Sequence, residues 1–382
     1  MFNKVLVISA SSGGGHLRVA EALVTAFGNK NATRQIYHID ALQFMPKTFR
    51  KFYAETYFDL IRNVPDIVGW VYKNLDKPWK NNSSRSSIDK MNSRKLVKLL
   101  KILDPDYVVC THFLPASVIS DLIENEKISC KLSIVITDYH AHALWLCKNV
   151  DRYFVPTDEV KEHLISVGIL DEKISTTGIP IDPAFMNKLD KSEARSILNL
   201  PLKDKIILIS AGGFGHGLTA DYLIESLMRM TKKAHIVVIC GKNESIKLRL
   251  QELIDIAVEN GKIDNLTFDI IGYTTKMVEY MSAADIVVGK PGGSTTAEAM
   301  AKGLAFVVVN PIPGQEVYNA DFITEQGAAI KSNNLSTLAY KIDKIIEDEI
   351  QLNKMKENAL RISSPDAAYK VVDILIDNQI IE

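Results

Sequence analysis

Several features that would assign a chain to a specialised class are missing from these 382 residues. The four cysteines are scattered without a CxxC pair, which favours reduced thiols in a cytosolic protein. No apolar run approaches the roughly 20 residues that cross a bilayer. Lysine and arginine (45) do not outnumber aspartate and glutamate (46), so the basic surplus of a nucleic-acid binder is absent. Without a signal-peptide layout, we expect a cytoplasmic protein whose membrane contact, if any, is peripheral.

Strand and helix patterns alternate along the chain, and the alternation begins twice. The apolar segment Lys4–Ala10 leads into the glycine-rich turn Ser11–His16, and Lys205–Ser210 leads into a second such turn, Ala211–Gly217. A helical pattern follows each turn. This alternation predicts an α/β fold with two doubly wound parallel sheets. We place the domains at residues 1–184 and 185–362, with a last helix at 363–382.

The segment Lys290–Glu316 carries the strongest site signal in the chain. A strand leads into the turn KPGG, and a helix follows, for which Ser294 and Thr295 are natural N-caps. The two glycines permit close backbone approach, and N–H groups at a helix start attract anions. Glu298, expected in the first turn of this helix, is itself an anion and is better suited to ribose hydroxyls. The segment therefore predicts a nucleotide-sugar site.

The same residues resemble a known family. The patterns KPGG-x-T-x-x-EA and P-x-PGQE-x-x-NA are similar to the donor-site signature of glycosyltransferase family 28, in the branch of diacylglycerol glucosyltransferases and monogalactosyldiacylglycerol synthases. The resemblance implies a GT-B fold, in which the last helix crosses back to the first domain. It also implies a UDP-sugar donor, no metal and no separate cofactor. The donor-binding residues that we predict are Gly14, Gly15, Gly212, Gly213, Gly215, Pro291, Gly292, Gly293, Ser294, Thr295, Glu298, Gln315, Glu316 and Asn319.

The first glycine-rich turn has three interpretations. Gly13 and Gly15 fit a dinucleotide fingerprint with Asp40 as the acidic residue, although Arg18 replaces the third glycine. A purely structural turn is the second interpretation. In the third, His16 projects into the cleft as a general base, since a neutral imidazole suits deprotonation of an alcohol. The segment SASSGGGH resembles that of the glycolipid synthases, and this resemblance favours His16 as the base.

The segment TDYHAHALW follows a predicted strand and places Asp138 at the same edge of the sheet. Two histidines beside an aspartate raise the possibility of a metal, but no third ligand cluster with the usual spacing appears. The segment resembles the acceptor and sugar pocket of diacylglycerol glucosyltransferases. The resemblance implies that Asp138 orients the base. It gives an acceptor-side wall of His112, His140, His142 and Trp145. Asp182 stands where close relatives commonly carry arginine, which puts a basic contact there in doubt.

The stretch Phe44–Trp79 interleaves aromatic residues with Lys47, Arg50, Lys51 and Arg62. This composition is typical of a membrane interface, although many of the aromatics also suit a helical core. We expect docking on the anionic inner face of the cell membrane. The sequence thus predicts an inverting transfer of glucose or galactose from a UDP-sugar to a diacylglycerol-type lipid. Four alternatives stay open: a transferase acting on a polyprenyl-linked cell-wall precursor, a nucleotide-sugar epimerase, a nicotinamide oxidoreductase and a non-catalytic nucleotide-sugar binding protein.

Overall fold

Two parallel sheets form the framework of the protein in a computed structural model. The structure describes residues 1–11, 13–51, 65–79, 94–210, 218–261 and 263–381. Within these residues the first sheet has six strands in the order β2-β1-β3-β4-β5-β6. Their bounds are β1 Phe2–Ser9, β2 Thr33–Asp40, β3 Tyr107–Cys110, β4 Lys131–Val135, β5 Arg152–Val155 and β6 Ile174–Thr176.

The second sheet repeats this design with the strand order β12-β11-β10-β7-β8-β9. Its strands, as far as the structure describes the chain, are β7 Lys205–Ser210, β8 Ala234–Ile239, β9 Leu266–Ile271, β10 Ile286–Gly289, β11 Ala305–Val309 and β12 Ala329–Ser332. Every strand pairing within the described residues is parallel, which requires a crossover between consecutive strands. The prediction of an α/β, GT-B type fold with two Rossmann-like units is confirmed.

Helices supply the crossovers and cover the sheets. Those of the first half are α1 Gly14–Asn29, α2 Lys47–Lys51, α3 Pro65–Leu75, α4 Arg94–Leu103, α5 Phe113–Glu124 and α6 Asp158–Ser166. Those of the second half are α7 Lys191–Ile197, α8 Leu218–Leu227, α9 Glu244–Glu259, α10 Met277–Ala283, α11 Gly293–Ala301, α12 Gln315–Glu325, α13 Leu338–Glu347, α14 Glu349–Arg361 and α15 Ala367–Ile381. No helix among the described residues is long and apolar enough to cross a membrane.

Each sheet has one point where the strand order reverses, and that point positions the site. In the first sheet the reversal lies between β1 and β3, whose carboxyl ends carry the turn before α1 and the residue Thr111. In the second it lies between β7 and β10, and β10 ends in the KPGG turn. Open α/β sheets bind ligands at such reversals. The sites that the glycine-rich motifs predict therefore coincide with the crevices of the fold.

The last helix, α15, packs against α1 of the first domain. The Asn29 amide donates to Tyr369 Oη at 2.8 Å, and Lys30 pairs with Asp373 at 2.8 Å. Buried Val371 and Leu375 belong to one core cluster together with apolar residues of both sheets. Gly178, at φ +89°, lies where an added Cβ would approach Ser364 Cβ to 2.4 Å. The segment that connects the two domains therefore packs tightly against the start of α15.

Candidate active site

His16 lies in the first turn of α1, directly after the reversal in the first sheet. Its Nδ1 is 2.8 Å from the carbonyl oxygen of Thr111 and 3.0 Å from Thr137 Oγ1, while Thr111 Oγ1 donates to the His16 carbonyl at 2.9 Å. A carbonyl oxygen only accepts, so Nδ1 carries the proton. Nε2 is then the nitrogen that accepts a proton in the neutral ring.

The charge of His16 is set by burial and by one carboxylate. Burial lowers the pKa of His16 below its ordinary value, and the negative charge of Asp138 opposes this shift. Burial in turn raises the pKa of Asp138, and His16 opposes that shift. Burial thus favours the neutral form of each group, and the charge of each on the other opposes that effect. The Thr111 carbonyl occupies Nδ1, and Asp138 affects the ring through its charge, so the orienting role of Asp138 stays a prediction.

The start of α11 abuts the first domain so closely that only glycine fits. A Cβ added to Gly293 would lie 1.8 Å from the carbonyl oxygen of Thr137, and one added to Gly15 would lie 3.3 Å from Ser294 Oγ. The N-terminal ends of α1 and α11 therefore meet across the cleft. Their first N–H groups have no acceptor within their own helix, so the junction favours an anion.

The assignment of Ser294 and Thr295 as N-caps is wrong, because α11 begins earlier than predicted. Its N-cap is Gly292, and the helix starts at Gly293. Glu298 consequently lies in the second turn, not the first, and the first turn holds no acidic residue. The close approach to Thr137 explains the difference: the glycines wind directly into the helix, so no longer side chain caps it.

Glu298 is buried and only partly satisfied. The residue is 4% exposed, and its Oε2 has no hydrogen-bond partner within the described parts of the chain. The Arg18 guanidinium, on α1, lies 3.5 Å from that oxygen. Burial raises the pKa of Glu298 to about 7, although Arg18 opposes the shift. A buried acceptor without its hydrogen bond carries a free-energy cost that a hydroxyl-bearing ligand relieves.

The loop between β11 and α12 is held by its own glutamate. The backbone N–H of Ile312 donates to Glu316 Oε2 at 2.7 Å, and Gly314 adopts φ +105°, which favours glycine. Burial raises the pKa of Glu316 to about 7, while nearby Lys290 opposes the shift. Gln315 and Glu316 begin α12 at the same end of the sheet as the KPGG turn.

Helix α3 covers this loop from the first domain. Gly69 approaches Pro313, where an added Cβ would lie 3.1 Å from the proline Cβ, and the Tyr72 ring lies against Gly314. His142 Nε2 bonds the Tyr72 carbonyl at 2.8 Å. Four large apolar residues of α3 are exposed: Trp70, at 66%, together with Ile67, Val71 and Leu75. One helix thus contacts the loop between β11 and α12 on one face and solvent on the other.

The residues predicted to form the acceptor-side wall differ in their surroundings. His112, His142 and Trp145 are buried, and Nδ1 of each histidine accepts the N–H of the residue two positions later. The His140 side chain is 20% exposed, stacks on Tyr318 and lies 3.3 Å from Asp76. The acceptor-side roles stay predictions, and His140 is the member with the most solvent contact.

Three predicted donor-binding residues lie outside the described part of the chain, and two contacts of His16 have no local sequence signal. Gly212, Gly213 and Gly215 fall in 211–217, outside the described residues. The sequence does not predict the contacts of Thr111 and Thr137 with His16, although Thr111 follows β3, which flanks the reversal point, and Thr137 follows the neighbouring strand β4. Where the chain is described, no group of three or more histidine, cysteine, aspartate or glutamate side chains is arranged to hold a metal ion.

Comparison with known proteins gives matches over both halves of the chain. Residues 16–181 match the family model described as monogalactosyldiacylglycerol (MGDG) synthase, and residues 190–361 match glycosyl transferases group 1. A processive diacylglycerol beta-glucosyltransferase of Bacillus cereus is 31% identical over 379 residues, covering 98% of this chain and 93% of the relative.

Solved structures resemble this one at lower sequence identity. MurG of Acinetobacter baumannii is 17% identical with a TM-score of 0.64, covering 97% of this chain and 99% of that one. A UDP-GlcNAc 2-epimerase of Neisseria meningitidis, bound to UDP-GlcNAc, is 17% identical with a TM-score of 0.62, covering 98% and 100%. At these identities the likeness shows the fold alone.

Proposed function

Because this chain belongs to the glycosyltransferase family of the diacylglycerol glucosyltransferases and monogalactosyldiacylglycerol synthases, we propose that it transfers a hexose from a UDP-sugar to the hydroxyl of a diacylglycerol-type lipid. The observation that carries the proposal is the position of His16 beside the junction of two helix N-termini, where a base meets an anion site. The name of the Bacillus cereus relative supports glucose as the sugar.

The reaction needs a base on one side of the sugar and a stabilised leaving group on the other. Neutral His16 takes the hydroxyl proton of the lipid on Nε2 as the alcohol oxygen bonds to the anomeric carbon. The bond from that carbon to the diphosphate breaks at the same time, so the configuration inverts and UDP leaves with the electron pair. The Thr111 carbonyl holds Nδ1–H throughout and stabilises the imidazolium that forms.

The diphosphate is assigned to the N-terminus of α11. Backbone N–H groups of Gly293, Ser294 and Thr295 begin that helix, and its dipole favours negative charge. This preorganised field stabilises the charge that develops on the leaving UDP. The second glycine-rich turn, 211–217, is expected to add donors. Glu298 is assigned to the ribose hydroxyls, which would supply the hydrogen bond that its buried Oε2 lacks.

The membrane-facing surface is assigned to α3. Its apolar residues project at positions 67, 70, 71 and 75, the spacing of one helical face, and Trp79 follows the helix. Lys73 and Lys77 lie beside them, which suits an interface with anionic lipid headgroups. The protein would then bind the inner membrane surface reversibly, with its lipid acceptor already in place.

A direct assay tests the proposal. Purified protein is incubated with UDP-glucose, UDP-galactose or UDP-GlcNAc and vesicles that contain diacylglycerol, and the lipid is analysed by mass spectrometry. We expect a mass gain of one hexose with UDP-glucose, a β-anomeric product by NMR, and no product from vesicles without diacylglycerol. Epimerised UDP-sugar formed without lipid would instead establish the epimerase alternative, and absence of both products would contradict the proposal.

A further inference from the structure

Asn319 occupies the centre of the contact between the two domains. It lies on α12, is fully buried, and makes three hydrogen bonds. Its Nδ2 donates to Asp138 Oδ1 at 2.9 Å and to the carbonyl oxygen of Pro291 at 3.0 Å. Its Oδ1 accepts the backbone N–H of Tyr139 at 2.8 Å. One side chain therefore joins the loop after β4, the KPGG turn and α12.

The orientation of this amide follows from its partners. A rotated amide would set Oδ1 against the Asp138 carboxylate and the Pro291 carbonyl, both acceptors, and would set the NH₂ group against the Tyr139 N–H, a donor. Every contact would then be repulsive. Both amide hydrogens of Asn319 are also used in the observed orientation. Its N–H groups therefore cannot donate to a donor sugar unless they leave Asp138 or Pro291, which is at odds with the expectation that Asn319 binds the UDP-sugar.

We propose that Asn319 is a positioning residue, which holds the Asp138 carboxylate in register with the donor-binding turn and thereby sets the charge that faces His16. The inference rests on the proposed function, because it names the partner of that same base. The hydrogen bond favours the ionised form of Asp138. The carboxylate in turn stabilises the imidazolium that forms when His16 takes the acceptor proton.

Two flanking contacts make this role separable from folding. Tyr139 stacks on Phe322 with ring centroids 4.4 Å apart, and His140 stacks on Tyr318 at 4.1 Å. Tyr318 and Phe322 lie on α12 one residue before and three residues after Asn319. The two stacked pairs therefore keep the loop after β4 against α12 when the Asn319 side chain is changed. What a substitution at Asn319 removes is the hydrogen bond to Asp138 and the link to Pro291.

The test compares Asn319→Leu and Asn319→Ala with a matched control, Asn265→Ala. Asn265 also donates to two carbonyl oxygens, those of Met230 and Lys232, but in the second domain at the end opposite the cleft. Loss of a hydrogen bond to a charged group should lower kcat roughly 10–100-fold in the Asn319 variants. The acid limb of the kcat/KM profile, which the His16 pKa sets, should move down by about one pH unit, since Asp138 is then protonated more readily and no longer raises that pKa. KM for the UDP-sugar should stay within about threefold of the parent value.

Each outcome has a definite consequence. A raised KM for the UDP-sugar with an unmoved acid limb would identify Asn319 as a donor ligand and overturn the inference. Variants that behave like Asn265→Ala would overturn it as well. A parent protein that forms no glycolipid would defeat the proposed function instead. In that case NMR titration of ¹³C-labelled histidine, assigned with His16→Ala, decides the inference. The His16 pKa should fall in the Asn319 variants, and an unchanged His16 pKa would contradict the inference.

Discussion

His16 is held by groups that leave one nitrogen for chemistry. The His16 side chain bonds the Thr111 carbonyl, whereas the anion site consists of backbone N–H groups at the start of α11. Replacement of His16 by alanine therefore removes the base and leaves the anion site in place. We expect His16→Ala to lower turnover by roughly 10²–10⁴-fold, the usual contribution of a general base. UDP affinity, measured by calorimetry, should stay nearly unchanged. Turnover within about threefold of the parent would contradict the assignment.

The pH dependence of the parent follows from the same residue. A base works in its neutral form, so activity is present above the His16 pKa and is lost as the pH falls through it. Burial lowers this pKa, so full activity should persist to somewhat below the ordinary value of about 6.5.

Glu298 should bind nucleotide at the expense of stability. Glu298→Gln is expected to weaken UDP binding by about 1.5–3 kcal/mol, the value of hydrogen bonds from ribose hydroxyls to a charged acceptor. An unchanged UDP affinity in calorimetry would show that the ribose lies elsewhere. The Arg18 guanidinium, 3.5 Å away, would lose its charged partner in the same variant.

Glu298→Gln should stabilise the ligand-free protein, although it weakens UDP binding. The folded pKa of Glu298, about 7, is above its unfolded value, so the folded state binds more protons between pH 4.5 and 7 and stability falls as the pH rises through that window. Without UDP, Glu298→Gln should therefore raise the free energy of unfolding at pH 8 by about 2–3 kcal/mol, and at pH 5 by less than about 1 kcal/mol. Thermal melts at the two pH values measure the difference. Equal effects at both would contradict it.

For single residues, the sequence predicts side chains that belong to local motifs and misses those that the fold brings together. His16 and Glu298 sit in motifs with recognisable spacing. The carbonyl of Thr111, 95 residues from His16, becomes its partner only because β1 and β3 are neighbours. The link from Asn319 to Asp138 spans 181 residues and both domains, so no local pattern contains it.

The elements themselves were largely predictable, because strand and helix patterns alternate over the whole chain. The strand β12 has no clear local pattern, because its four residues, Ala329-Ile-Lys-Ser, are mixed in polarity, and pairing with β11 forms this short strand at the sheet edge. The start of α11 was misplaced because Ser294 and Thr295 are good caps in isolation, whereas contact with Thr137 selects the glycines. In both cases tertiary contacts outweigh the local signal.

Helix α3 is the element through which membrane binding can be tested. We expect the double change Ile67→Ala, Trp70→Ala to weaken binding to vesicles that contain diacylglycerol and anionic lipid by one or more orders of magnitude, because the two side chains bury apolar area in the interface. Ile102→Ala is the matched control, since Ile102 is also exposed but lies on α4. Vesicle sedimentation gives the comparison, and equal retention of the double variant would exclude α3 as the docking face.

The basic residues of α2, which precede α3 in the stretch Phe44–Trp79, are tested separately. Arg50→Glu with Lys51→Glu should weaken binding to anionic vesicles and leave the weak binding to neutral vesicles unchanged, since each basic residue contributes on the order of 1 kcal/mol near such a surface. The Lys51 side chain and Arg62 lie outside the described residues. UDP affinity in solution should not change in either set of variants.

For the whole molecule, Gly293 limits how closely the two domains approach. A Cβ at this position would lie 1.8 Å from the Thr137 carbonyl oxygen, so Gly293→Ala must separate the domains there. We expect a folded protein with a larger radius of gyration in small-angle scattering and at least a tenfold loss of turnover, because His16 and the α11 N-terminus no longer meet. Gly289→Ala is the control, since an added Cβ there meets nothing within 4 Å. Equal scattering and turnover in the two variants would contradict this account.

The packing of Tyr72 against Gly314 joins two binding events into one thermodynamic cycle. Helix α3, assigned to the membrane, and the loop before α12, assigned to the donor, touch each other at this contact. If a bilayer tightens the loop, linkage requires that a UDP-sugar tighten bilayer binding by the same factor. Vesicle affinity measured with and without UDP-glucose should therefore differ by the same ratio as UDP-glucose affinity measured with and without vesicles. Tyr72→Ala should reduce both ratios towards one, and a ratio unaffected by that change would place the coupling elsewhere.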